Sequence, residues 1–156
     1  MRNKGKIIAI LLISIMVGVL IISCDPAANL SNPELFEIAI AGLGAAEFAY
    51  EIQYGPFEYD DDDEPLPPEP GTYNLAKLDF YDVAGPGEGI EKDQLVLLSG
   101  KITYKPDGSG TIESKIKINN FEDLPNGTFT VKLSGGLDLE TGIVTVNGRR
   151  VTKPNN

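Results

Sequence analysis

From residue 31 the apolar positions of "SNPELFEIAIAGLGAAEFAYEIQYGP" recur every three or four residues. Leu35, Ile38, Gly42, Ala46, Ala49 and Gln53 fall on one face, mostly small and apolar. The spacing predicts a helix over 32–54. Ser31 with Glu34 three residues on forms a capping-box pattern, Pro33 is tolerated in a first turn, and Gly55-Pro56 supplies a stop. Gly42 and Gly44 each cost about 1 kcal/mol relative to Ala, which marks either a bend between them or a close approach of another backbone. Phe48, Tyr50, Ile52 and Tyr54 also alternate, so a strand over 47–54 competes with the last turns of the helix.

The period changes downstream. "FEYDDDDEPLPPEPGTY" joins an acidic run to clustered prolines, which cannot continue a helix and have little to bury, so 56–71 reads as an exposed loop. After Tyr73 the texture is β. "YNLAKLDFYDV" is strand-like, "AGPGEGIEKD" is a connection, and two further runs flank the turn at "KPDGSG". Ile112, Ile116 and Ile118 alternate with Glu113, Lys115 and Lys117; Phe129, Val131 and Leu133 alternate with Thr128, Thr130 and Lys132. Such strands bury one face. Asn147-Gly148 favours a two-residue hairpin turn, because both positions accept positive φ. Short connections imply antiparallel neighbours, and the turn spacing implies a meander of about five to seven strands. The expected fold is α+β: an N-terminal helix packed on a β-rich antiparallel meander, in a single domain over 32–153. The alternative is an all-β sandwich or partial barrel.

The first residues obey a different logic. "MRNKGK" carries three cations, and "IIAILLISIMVGVLII" behind it falls short of the roughly 20 residues of a free-standing membrane helix. A basic head, an apolar core and small residues before a cut site are the parts of a secretory signal. The run ends at "LIISCDP", which holds the chain's one cysteine. Ile21-Ile22-Ser23-Cys24 resembles the lipobox of bacterial lipoproteins. The resemblance implies diacylglycerol transfer to the sulfur of Cys24, cleavage before it and acylation of the new amine. Ile21 in place of Leu is a departure accepted in looser lipoboxes such as those of spirochaetes. The competing reading of Cys24 is a free or buried thiol that happens to follow a signal. On the lipoprotein reading, 1–23 is the signal, 24–31 a lipidated tether, and the domain sits outside the cytoplasm on the cell membrane or outer membrane. Asp25 is a residue that in enteric lipoproteins favours the inner membrane. One acyl chain holds a bilayer only marginally, whereas two or three give lasting attachment.

Charge narrows the partners. The net charge is −10 with 23 acids, and Arg2, Lys4 and Lys6 leave with the signal. A surface this acidic repels phosphate backbones, so no nucleic-acid partner is expected, and as a whole it is also pushed away from anionic headgroups.

The chemistry is sparse. The chain has no histidine and no tryptophan, which removes Ser-His and Cys-His pairs, an imidazole shuttle and ordinary zinc sites. A mechanism on paired carboxylates stays open in principle. "GLGAAE" at 42–47 imitates a dinucleotide fingerprint, but Glu47 at its third glycine position opposes a pyrophosphate. "DDDDE" at 60–64 is oxygen-rich yet lacks an EF-hand ligand pattern, and Glu88 spoils "GPGEG" at 85–89 as an anion cradle. No catalytic, cofactor-binding or metal-binding residue is therefore expected, and Cys24 is the modification site. Phe36, Phe48, Tyr50, Tyr54, Phe57, Tyr59, Tyr73, Phe80 and Tyr81 cluster in the first half, as core or as the wall of an apolar pocket. The leading expectation is a non-enzymatic, lipid-anchored envelope protein with a structural or interaction role, its partner an envelope protein. The alternative is a small module binding a lipid or other apolar ligand. An apolar cavity bounded by Ile112, Ile116, Phe129, Val131 and the helix would favour the second; a filled interior favours the first.

Overall fold

Ser31 starts the long helix as its spacing to Glu34 demands. In the computed structural model, which describes residues 26–63, 66, 68–84, 89–136, 139 and 141–155, α1 spans Asn32–Tyr54. The Ser31 amide donates to Glu34 Oε2 at 2.7 Å, and the Glu34 amide reaches Ser31 Oγ at 3.5 Å, so both halves of the capping box form. Gly55 ends the helix at φ 105°, its amide donating to the Glu51 carbonyl. The leader and Cys24 lie outside the described residues, as do Glu64 in the acidic loop and residues 85–88.

No break separates Gly42 from Gly44, and residues 47–54 complete the helix rather than a strand. Packing decides between the two periods: Ala45, Ala46, Ala49 and Tyr50 are buried together, while Phe48 and Ile52 stay exposed. A strand would have placed Phe48, Tyr50 and Ile52 on one face.

Seven strands follow: β1 (Gly71–Leu75), β2 (Leu78–Asp79), β3 (Leu95–Tyr104), β4 (Gly110–Ile118), β5 (Gly127–Gly135), β6 (Ile143–Val146) and β7 (Arg149–Val151). A short helix, α2 (Phe80–Ala84), follows β2. The sheet runs β1-β3-β4-β5-β6-β7, every pair antiparallel, with β2 beside β1 on the same edge of β3. It is an open meander, not a sandwich or closed barrel. At the β6–β7 turn Asn147 has φ 46° and Gly148 φ 78°, as the dipeptide predicts. Asn147 also extends the β5 ladder: its amide donates to the Thr130 carbonyl, and the Thr130 amide to Asn147 Oδ1, each at 2.7 Å.

One irregularity reaches the core. The β3–β4 register shifts between Leu97 and Ser99, leaving Leu98 as an extra residue. A bulge of this kind reverses which alternate residues face inward. Leu95 and Leu97 are thus buried on one side of it and Ile102 and Tyr104 on the other.

α1 crosses one face of the sheet, where Gly42 makes the closest approach. A Cβ there would lie 2.6 Å from Val131 Cγ2 and 3.0 Å from Ser114 Oγ. Ser114 is fully buried, and its hydroxyl donates to the Gly42 carbonyl at 2.7 Å. The neighbour that the small residue admits is therefore a side chain and a hydroxyl, not a second backbone. Gly44 faces open space, with nothing within 4 Å.

The described part of the expected tether, residues 26–31, packs on the domain. Pro26–Asn29 form a 3-10 turn with Ala27 fully buried. The Arg149 guanidinium donates to the carbonyls of Ala27 and Leu30, and Asn32 Nδ2 donates to Thr152 Oγ1 at 2.6 Å.

The two helix glycines are expected to respond oppositely to alanine. Gly42→Ala gains about 1 kcal/mol of helix propensity but overpacks against Val131 at 2.6 Å, for a net loss of up to about 2 kcal/mol. Gly44→Ala meets nothing and should gain up to about 1 kcal/mol. Urea denaturation of both variants checks this, and equal effects would contradict the packing described.

Candidate functional site

The inward strand residues leave no chamber. Ile112, Ile116, Phe129 and Val131 are at most 1% exposed, and Gly42 presses against the last of them. The interior between sheet and helix is filled. Concave surface lies instead along the two flanks of α1, in grooves of about 660 and 500 Å³ that share Gly44 and Phe48. α1 is apolar beyond its buried stripe, and the groove-lining Ile40 and Phe48 are 39 and 43% exposed.

The larger groove runs toward the C-terminal end of α1. Glu47 and Glu51 line it together with Phe57, Tyr59, Leu66 and Tyr104. Behind it stands an aromatic cluster. Tyr50 stacks on Phe57 at 5.0 Å between centroids and meets the edge of Tyr73 at 5.2 Å, and Tyr73 reaches Tyr104 at 6.2 Å. Polar contacts pin the cluster, since the Tyr73 hydroxyl donates to the Glu69 carbonyl at 2.6 Å and that of Tyr54 to the Asn74 carbonyl at 2.8 Å. Gln53, on the predicted face but exposed, serves the break between β1 and β2. Its amide donates to Asn74 O at 2.8 Å and accepts from the Ala76 amide at 2.9 Å.

Burial pushes the Tyr104 phenol up to about 12, with Tyr50, Glu47 and Tyr73 adding to the shift. Glu47 is raised too, first by desolvation and then by Glu51 one turn on. The residue as a whole keeps an exposed position on α1.

The smaller groove is the more apolar. Ile40, Ala41, Phe48, Phe80, Phe121 and Leu124 contribute to it, and Phe48 stacks on Phe80 at 5.8 Å. Glu37 and Glu122 are the acids on this otherwise apolar lining.

Of the other segments singled out in the sequence, 42–47 contributes Gly44 and Glu47 to the larger groove. It does so from within α1, not from a loop before a helix N-terminus where a phosphate cradle would form. Asp60 closes a tight turn, accepting from the Asp62 amide at 2.9 Å through its side chain and from the Asp63 amide at 3.1 Å through its carbonyl. Among the described residues no three acidic side chains gather as metal ligands would. Residues 85–88 lie outside the described residues. Tyr104 and the groove contributions of Leu66, Phe121 and Leu124 are absent from the sequence reading. Tyr104 was detectable as two positions beyond Ile102 in the same strand; the loop residues carry no periodicity.

Compared with protein-family models, curated proteins and solved structures, the chain finds no match.

The raised Glu47 gives a pH test. A carboxyl whose folded pKa lies above its unfolded value lets the fold retain a proton that the unfolded chain releases. Stability therefore falls as pH rises through that interval. Glu47→Gln should stabilise the protein at pH 7 and leave it unchanged below the ordinary value of 4.5. Denaturation midpoints of both proteins at the two pH values read this directly.

Proposed function

We propose that this chain is a bacterial lipoprotein: a non-enzymatic envelope protein anchored through lipid on Cys24, on the cell membrane or outer membrane, whose domain lies outside the cytoplasm in a structural or interaction role. The observation that carries the reading is the run Ile21-Ile22-Ser23-Cys24 behind a basic head and an apolar stretch. The lipidated sulfur is the one thiol of the chain, so no disulfide or cysteine nucleophile accompanies it. Two features of the fold support this reading. The packed turn at Pro26–Asn29 holds the domain close to its anchor, and the filled interior suits a body that presents surfaces rather than encloses a ligand. Among the described residues no helix is long and apolar enough to cross a membrane.

A second reading has one observation in its favour. The groove of about 500 Å³ around Phe48 and Phe80 is of a size and character to take a lipid or other apolar ligand. Phe48→Asp would abolish such binding and leave anchoring intact.

The anchor is tested by Cys24→Ser. The substitution should eliminate incorporation of radiolabelled palmitate and leave the leader uncleaved, seen as a slower band on a gel. Continued labelling of the variant would show that lipid is attached elsewhere.

A further inference from the structure

The chain is acidic overall, with 23 acids to 13 bases, yet the strand register separates the two signs. α1 carries Glu34, Glu37, Glu47 and Glu51 and no lysine or arginine. The sheet face turned away from α1 is the opposite. Pairing aligns Lys101 of β3, Glu113 of β4, Lys132 of β5, Thr145 of β6 and Arg150 of β7 in one row. Lys115 and Lys117 stand farther along β4, paired with Thr130 and Thr128. Two acids stand among them: Glu113, 3.7 Å from Lys132, and Asp79 of β2, in the row of Val96 and Lys117, whose carboxylate accepts from the Tyr81 and Asp93 amides. Among the described residues Lys101, Lys115, Lys117 and Arg150 have no ion-pair partner. A row of hydroxyls, Thr72, Thr103, Thr111 and Ser134, borders them.

Strands lie about 4.8 Å apart, and same-face residues follow at about 6.8 Å along each strand. The cations are therefore spread over a grid with separations of about 7 to 10 Å, too far apart to surround one small ion. They are suited to a layer of discrete anionic groups, with the hydroxyls as further donors. We propose that this face lies against the anionic phospholipid headgroups of the bilayer that holds Cys24. The inference rests on the lipoprotein reading, since the anchor supplies the proximity: Cys24 is two residues from the packed Pro26, a reach of about 7 Å.

Net charge argues the other way only if charge is treated as uniform. Physiological salt screens over about 8 Å, whereas the outer side of α1 stands about 15 Å from the sheet plane. Headgroups touching the sheet therefore meet the lysines at full strength and the helix acids through screening. Each cation near an anionic leaflet is favourable, so the sheet face turns toward the bilayer and the helix grooves turn away from it, open to a partner.

The test uses the full chain, produced and processed in a bacterial envelope, extracted in detergent and reconstituted into phosphatidylcholine vesicles with or without phosphatidylglycerol. Flotation on the neutral vesicles reads the anchor alone, because it needs no charge. Lysine acetylation, read by mass spectrometry, then reports the face. Phosphatidylglycerol is expected to protect Lys101, Lys115, Lys117 and Lys132 about fivefold or more, to leave Lys77 and Lys105 unchanged, and to lose its effect in high salt. Combining Lys101→Glu, Lys115→Glu and Lys117→Glu should remove protection at Lys132 without altering flotation. Equal labelling on both vesicles, in protein that floats, overturns the docking and spares the anchor. Failure to float on neutral vesicles overturns the anchor and the docking with it. Protection on neutral vesicles that grows with protein concentration would assign the face to a second copy of the chain, and protection by soluble polyphosphate alone would assign it to a free polyanion; either result overturns the lipid assignment.

Discussion

The fold turns on one contact, where the backbone of α1 at Gly42 meets Val131 and Ser114. Seven strands in an open meander leave one apolar face that must be covered, and α1 is the one long helix among the described residues. It approaches closely because Gly42 has no side chain, and it is held by the hydroxyl of Ser114, whose burial is offset by its bond to the Gly42 carbonyl. That carbonyl has a second lone pair, so the bond need not displace the helix's own ladder. Everything inward, from Leu35 at one end of α1 to Tyr50 at the other, is arranged around this approach.

Because the approach is close, the interior has no room for a ligand, and the surfaces are what remain available for function. α1 is too apolar to be covered by one sheet face alone, and part of its surplus, Ile40 and Phe48, becomes the rims of the grooves. The sheet has the complementary problem. Its far face carries lysine and threonine along β4 and β5, with Val96 buried at one end of it. Two differently charged sides, one anionic with grooves and one mostly cationic, follow from a single helix covering a single sheet.

On the proposed anchoring at Cys24 this asymmetry would also have a direction. Arg149 bonds to the carbonyls of the turn at Pro26–Asn29, and Asn32 bonds to Thr152, so the turn is tied to the last strand. An anchor two residues upstream of such a turn would be a short leash, limiting how far the domain could stand from the surface that holds it.

The sequence by itself determined the local elements. Ser31 and Glu34 set the start of α1 and Gly55 its end, because capping depends on residues a few positions apart. Ile112, Ile116, Ile118, Phe129, Val131 and Leu133 declared the inward side of their strands, and Asn147-Gly148 the last hairpin, since alternation and turn chemistry are also short-range. The helix and strand patterns over 47–54 overlap, and only burial of Ala46, Ala49 and Tyr50 against the sheet chose between them. The extra residue at Leu98, the docking of residues 26–30, the side chain that fills the space above Gly42 and the loop residues of both grooves have no local signature. The row from Lys101 to Arg150 was half visible, as alternation within each strand, but its alignment across five strands is a matter of register. These features bring together residues from distant parts of the chain, and only tertiary packing and strand pairing decide which of them meet.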